Sequence, residues 1–301
     1  MRKPRPLQVG SPVRIVAPSS PFERDRLRDG LDVLRSFGLV PEHSDRIFKR
    51  NGYLAGADDE RAAEVVEAMA AKGNGAVMAA RGGYGAMRIL DRLASGFASF
   101  EPHIFMGFSD LTALHLAFGL AADLVTFHGP NANGLATLGA TSVARTRATL
   151  LGLDREATFT YSGLRPLFDG RVRGRLVVGN LSLVAALIGT PWAAPLQDAI
   201  LVLEEVGEPP YRVDRMLTQI SMQPGAGGLA GLVFGDLGVA ERDRAQLDQA
   251  VGRFTEVMRR PAVAGFPIGH GQMNHPVPEG VLAELDAGAG VLRVVEDPYQ
   301  P

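Results

Sequence analysis

The segment Phe105-Met106-Gly107-Phe108-Ser109-Asp110-Leu111 decides how the rest of the chain is read. Residues 104–106 are an apolar run with the character of a buried strand, and residues 111–120 have the composition of a helix. Gly-Phe-Ser-Asp joins them. A serine at a sharp strand-to-helix turn is lifted off the sheet. The N–H groups that follow it face the same way at a helix N-terminus, a geometry that suits a nucleophile beside an oxyanion site. The plainer alternative is an N-cap serine with Asp110 in the first helical turn. The nucleophile elbow of the α/β-hydrolases would carry a second glycine two residues after the serine; here that residue is Leu111, so that elbow is not matched.

Working outward, strand-like runs at residues 13–17, 39–42, 75–79 and 124–127 alternate with helical spacing at 24–37, 58–71 and 86–93. Alternation at these lengths predicts a parallel sheet with helices on both faces. Loops at the carboxyl ends of such strands bind ligands. Residues 18–21, 81–85, Ser109 and 128–131 all fall on such ends, so four polar or glycine-rich loops converge on one edge. A closing helix is expected at 141–151. Mixed polarity then suggests an N-terminal domain over 1–155, a linker over 156–169 and a smaller C-terminal α/β domain over 170–301. In the latter, apolar runs occur at 176–178, 199–203, 231–234 and 291–295, and helical spacing at 181–188, 211–220 and 242–258.

Composition narrows the function classes. The chain has 301 residues, 46% hydrophobic and 21% charged, a globular balance. A net charge of −2 gives no electrostatic support to a nucleic-acid or anionic-membrane partner. The absence of cysteine excludes disulfides, thiolate metal sites and cysteine nucleophiles. No apolar window reaches the length of a membrane span or a signal-peptide core, and the expectation is a cytoplasmic protein.

Gly82-Gly83-Tyr84-Gly85 follows a strand and opens a helix, but its spacing is not the dinucleotide fingerprint and no Walker lysine is present. It reads either as a close-approach loop, whose N–H groups face whatever sits over Ser109, or as a tight turn. A hydroxyl nucleophile needs a base and a group that orients the base. Of six histidines, His270 lies in a glycine-flanked loop just after a probable strand, where a proton shuttle could adjust. His128, on the ligand edge, is the rival, and His103 and His115 look structural. Glu204, directly after an apolar run, sits at a strand's carboxyl end; Glu205 should point to the opposite face. The alternative is that both are solvated strand-end charges. A metal site is weakly supported, since His270 and His275 lack further ligands nearby, and none is expected.

The same residues fall within a longer series: Ala17-Pro18-Ser19, Ala55-Gly56 with Glu60-Arg61, Arg81-Gly82-Gly83-Tyr84-Gly85, Gly107-Phe108-Ser109-Asp110, Thr126-Phe127-His128-Gly129-Pro130, Gly179-Asn180-Leu181, Gly189-Thr190-Pro191-Trp192, Leu203-Glu204 with Arg212-Val213-Asp214-Arg215, and Gly269-His270. In this order they resemble the LD-carboxypeptidases, a serine peptidase family that includes the microcin C immunity peptidases. The resemblance implies a doubly wound, flavodoxin-like N-terminal domain, a smaller C-terminal α/β domain and commonly a homodimer. It implies a Ser109–Glu204–His270 triad; with base and acid in the second segment the site is expected in the cleft between domains, and the N–H of Asp110 with that of Gly82 or Gly83 is the expected oxyanion site. It also implies a small peptide substrate, the cytoplasmic murein tetrapeptide, cut to release D-alanine in peptidoglycan recycling without metal or organic cofactor. Arg81, Tyr84, His128, Trp192 and Arg212 are the candidate substrate contacts, with Arg215 a further candidate for a substrate carboxylate. Two alternatives stand beside this: a peptidase of peptidyl or aminoacyl-nucleotide antibiotics, and a non-catalytic module binding a ligand on the same sheet edge.

Overall fold

The computed structural model describes residues 1–153 and 160–300. The chain divides into two compact units. The first comprises Met1–Asp154, His275–Pro278 and Pro298–Pro301; the second comprises Arg155–Asn274 and Glu279–Asp297.

Among the described residues, the first unit is built on β1 (Pro12–Val16), β2 (Val40–Glu42), β3 (Ala76–Ala79), β4 (Ile104–Gly107) and β5 (Thr126–His128). The order is β2-β1-β3-β4-β5, and every pairing within it is parallel. β3 and β4 are buried at every position, which is why their sequences, Ala-Val-Met-Ala and Ile-Phe-Met-Gly, are continuously non-polar rather than alternating. The helices are α1 (Arg24–Ser36), α2 (Asp58–Ala70), the one-turn α3 (Leu90–Leu93), α4 (Thr112–Ala122) and α5 (Ala140–Leu151). On α1, Leu27, Gly30, Leu31 and Leu34 form one buried stripe. Gly30 has a specific reason to be glycine: an added Cβ would lie 1.8 Å from the carbonyl oxygen of Ala132. α4 is apolar nearly all round and is buried, with Phe118 packed on Phe100 and Phe105.

The sheet order reverses about β1, whose neighbours are β2 and β3. Ligand sites in such sheets sit at the carboxyl ends of strands beside the reversal. The loops after β1, β3 and β4 occupy that place, and they are residues 18–21, 81–85 and the Ser109 turn.

The second unit holds β6 (Thr160–Tyr161), β7 (Arg165–Phe168), β8 (Arg171–Asn180), β9 (Ala199–Glu204), β10 (Gly231–Phe234), β11 (Ala262–Ala264), β13 (Leu282–Asp286) and β14 (Val291–Val294), while β12 (Val277–Glu279) extends the first sheet beside β5. Four parallel strands, β8-β9-β10-β11, form its centre. β13, β14 and β6 add antiparallel at one side, and β7 at the other. Its helices are α6 (Leu181–Ala186), α7 (Pro210–Ser221) and α8 (Arg244–Met258).

Two features differ from the sequence-based domain plan. Residues 275–278 and 298–301 rejoin the first unit after the chain has built the second. Of the stretch 156–169 read as a linker, 156–159 lie outside the described residues, and Thr160–Tyr161 and Arg165–Phe168 are short edge strands. Such strands of two and four residues carry too little periodicity to be told from loop. No helix among the described residues is long and apolar enough to cross a membrane.

Candidate active site

In the first unit, Phe108 leaves β4 in an extended conformation (φ −148°, ψ −177°), and Ser109 turns the chain with φ 67° at the start of the helical turn Ser109–Leu111. The left-handed region costs an L-residue with a Cβ about 1–2 kcal/mol. Neighbouring groups hold the turn in place. The Phe108 N–H donates to Asn131 Oδ1 at 3.2 Å. The Gly107 carbonyl accepts from Nε2 of buried His115 at 2.8 Å, and His115 Nδ1 lies 2.8 Å from the Thr126 hydroxyl. Because a carbonyl can only accept, Nε2 carries the proton and Nδ1 accepts from Thr126. Burial lowers the His115 pKa to about 4, so it stays a neutral brace.

Gly82 approaches Ser109 closely. A Cβ on Gly82 would lie 3.0 Å from Ser109 Cβ, 3.3 Å from its Oγ and 3.0 Å from the Phe108 carbonyl oxygen. Gly83 (φ 106°) is held the same way against Ser20, 2.6 Å from Oγ to an added Cβ. Among the described residues, no acceptor takes the backbone N–H of Gly82 or of Asp110. Ser109 therefore sits in a strained turn with two donors from separate loops nearby, the components an oxyanion site requires.

In the second unit, Glu204 ends β9 with no exposed surface, and its Oε2 lies 2.8 Å from Nδ1 of His270. With the Nδ1–H donating to the carboxylate, Nε2 is left as the acceptor nitrogen, the tautomer a general base needs. Burial works against an imidazolium at His270. The hydrogen bond and charge of Glu204, with the charges of Glu205 and Asp236, outweigh it and raise the His270 pKa. Burial also pushes Glu204 up, with the His270 contact pulling against it. Gly269 (φ 144°) admits no side chain, since a Cβ would lie 2.7 Å from Asp236 Cβ. That close approach sets the loop carrying His270.

Both halves of the chain match a known family. Residues 13–129 match the LD-carboxypeptidase N-terminal domain and residues 173–285 the LD-carboxypeptidase C-terminal domain. A Bacillus subtilis relative named "Probable murein peptide carboxypeptidase" is 35% identical over 293 residues, covering 94% of this chain and 91% of its own. The chain belongs to the LD-carboxypeptidase (peptidase S66) family. Among solved structures, the muramoyltetrapeptide carboxypeptidase of Oxalobacter formigenes is 28% identical with a TM-score of 0.82, covering 95% of this chain and 100% of the other. The microcin C7 self-immunity protein MccF shares the fold at 20% identity, with a TM-score of 0.89 and full coverage of both chains. As a family member, the chain is a hydrolase of the serine peptidase type.

The other sequence-selected residues have mixed placements. Arg81 is exposed and reaches the Pro21 carbonyl oxygen at 2.6 Å. Tyr84 is exposed and stacks edge-on with Tyr53, centroids 5.5 Å apart. Trp192 is half-buried in the loop after α6, and Arg212 is exposed on α7 beside Glu208 at 3.3 Å. His128 requires a correction. Its position on the ligand edge suggests a residue open to substrate, but it has no exposed surface and packs against the rings of Phe108 and His115. The strand end that exposes neighbouring loops turns this side chain into the core. The alternative of solvated strand-end charges also fails, since Glu204 and Glu205 are both buried. Sequence reading missed Ser19, Asn131 and Asn180 as supports; small polar residues in loops or at a strand end give no signal until their partners are known.

Proposed function

We propose that this chain is a serine LD-carboxypeptidase that removes the terminal D-alanine of the murein tetrapeptide. Ser109 is the nucleophile, His270 the general base and acid, and Glu204 the group that orients and charges the imidazole. The observation that carries this is the buried Glu204 carboxylate bound at 2.8 Å to Nδ1 of the more exposed His270, formed on a family member whose nucleophile position is a left-handed serine. The murein substrate is supported by the names of the relatives at 35% and 28% identity.

His270 Nε2 takes the Ser109 proton as Oγ attacks the carbonyl of the L-centred residue. The N–H groups of Asp110 and of Gly82 or Gly83 hold the resulting oxyanion. As the tetrahedral intermediate collapses, His270 gives its proton to the leaving amine of D-alanine and the acyl-enzyme forms. Water then attacks, losing its proton to His270, and Ser109 is regenerated. No step calls for a metal or organic cofactor. Arg81, Tyr84, Trp192 and Arg212 are the proposed substrate contacts. The setting is cytoplasmic peptidoglycan recycling by a homodimer.

The test is to incubate the purified protein with L-Ala-γ-D-Glu-meso-diaminopimelate-D-Ala, with Ser109→Ala in parallel, and follow product mass. Loss of one alanine by the wild type alone is expected. No cleavage by folded wild type, with turnover of an aminoacyl-sulfamoyl adenosine, would transfer the assignment to the antibiotic-hydrolysing branch.

A further inference from the structure

The carboxylate of Asp110 is buried directly after the serine turn, and it faces away from any role as a solvated first-turn charge. Its Oδ2 accepts the Ser19 hydroxyl at 2.6 Å and the Ala86 N–H at 2.8 Å. Ser19 lies in the loop after β1, and Ala86 follows the glycine loop after β3. One oxygen thus joins all three loops that meet at the sheet's reversal. Neighbouring contacts repeat the link: Ser20 N–H donates to the Gly82 carbonyl at 3.3 Å, and the Tyr84 N–H donates to Ser20 Oγ at 3.1 Å. From the other side, the buried guanidinium of Arg61 donates to the carbonyl oxygens of Pro18 and Gly85. Burial raises the Asp110 pKa, and the two donated hydrogen bonds and the charge of Arg61 oppose that.

We infer that the Asp110 side chain is a positioning residue for the proposed hydrolysis, holding the Gly82–Gly85 loop against Ser109 so that the Gly82 and Asp110 N–H groups address one oxyanion. This rests on the Ser109 nucleophile reading. Its physical content is that substitution leaves the Asp110 N–H in place yet lets the opposing loop drift. Misplacement of a catalytic donor by around 1 Å costs on the order of 10²-fold in rate.

The experiment compares wild type, Asp110→Asn, Asp110→Ala, Ser19→Ala and the Asp110→Ala/Ser19→Ala double variant on the tetrapeptide, with kcat and KM separated and thermal midpoints recorded. For Asp110→Ala, kcat should fall roughly 10²–10³-fold with KM within about threefold. Asp110→Asn keeps an oxygen that can accept from both Ser19 and Ala86, and should restore at least about tenfold of that loss. Ser19→Ala should lower kcat less, and the double variant should be no slower than Asp110→Ala, since both act through one contact. If Asp110→Ala does not fold, Ser19→Ala still decides the matter through kcat. An active wild type whose folded Asp110→Ala variant, or in its absence Ser19→Ala, retains full kcat overturns the inference and leaves the nucleophile assignment standing, as does a rise in KM with kcat unchanged in that variant. A folded wild type with neither turnover nor fluorophosphonate labelling at Ser109 overturns both.

Discussion

Ser109 is a half-buried serine at φ 67°, in a region where glycine is at ease and other L-residues are strained. Its substitutions therefore separate two things that a nucleophile knockout usually mixes. Ser109→Ala removes Oγ and keeps the Cβ that causes the strain. Ser109→Gly removes both. Relief of the left-handed penalty is worth about 1–2 kcal/mol. The extra freedom of glycine in the unfolded chain takes back about 0.5–1 kcal/mol. The expected net difference is about 0–1.5 kcal/mol in favour of glycine, centred near 0.75 kcal/mol. For a unit of this size, ~1 kcal/mol moves the midpoint by about 2–4 °C. Ser109→Gly should thus melt about 1–4 °C above Ser109→Ala, with both inactive. The assay is differential scanning calorimetry at neutral pH, backed by urea titration of the first unit's transition. Arg259→Gly is the control: Arg259 caps α8 at φ 49° and has no proposed role in catalysis, so it should also gain stability while keeping activity. If Arg259→Gly gains and Ser109→Gly melts at or below Ser109→Ala, the serine is not held in a strained turn and the elbow argument is wrong.

Gly82→Ala needs no disallowed backbone angle, but its Cβ would meet Ser109 at 3.0 Å, so kcat should drop on the order of 10²-fold while the midpoint changes by only a few degrees; steady-state kinetics beside calorimetry will tell. Glu204→Gln removes the carboxylate charge that most raises His270, leaving burial opposed by the charges of Glu205 and Asp236. The acidic limb of kcat/KM, set by loss of the imidazolium proton, should move to lower pH, with a rate loss near 10⁴-fold. An unmoved limb would mean that His270 is not the titrating base. Glu279 is buried at the end of β12, and burial raises its pKa well above 4.5. Below pH 4.5 both folded and unfolded forms hold the proton. Above it the unfolded chain releases the proton first, so stability falls with rising pH until the folded-state value is passed. Glu279→Gln should therefore raise the midpoint at pH 8 and make little difference near pH 4, and the reverse order would refute the assignment of the buried proton.

The alternation of strands and helices in residues 12–151 was legible because parallel strands buried on both faces leave runs such as Ala76–Ala79 and Ile104–Gly107. The second sheet's central strands β8 to β11 were legible for the same reason. Its rim was not. β13 alternates buried Ala283 and Leu285 with charged neighbours that pair across the sheet, and β6 spans two residues. The return of residues 275–278 to the first unit is a long-range event with no local signature. At the proposed site, Ser109 and Glu204 are marked in the sequence by their places at strand ends and His270 by its glycine-flanked loop. His128 could not be judged the same way, because a three-residue strand does not reveal on which face its last side chain falls.

The adjacent glutamates show how far the backbone period resolves such an ambiguity. Sequence places Glu204 and Glu205 on opposite faces and says nothing of what either meets. In the structure the first turns to His270. The second accepts from the Ser182 N–H at 2.7 Å and the Asn180 amide at 3.2 Å, at the start of α6. One carboxylate is thus available for proton chemistry, and the other satisfies donors that a helix N-terminus leaves open. Asn180 pairs with Glu204 in the β8–β9 register, caps α6 through Leu183 N–H and binds Glu205, so it couples the two. Exchanging the roles would require the strand to slip by one residue. That would carry Glu204 into the fully buried place of Leu203, a carboxylate among apolar side chains, so the same apolar run that builds the sheet also fixes which glutamate can serve the histidine.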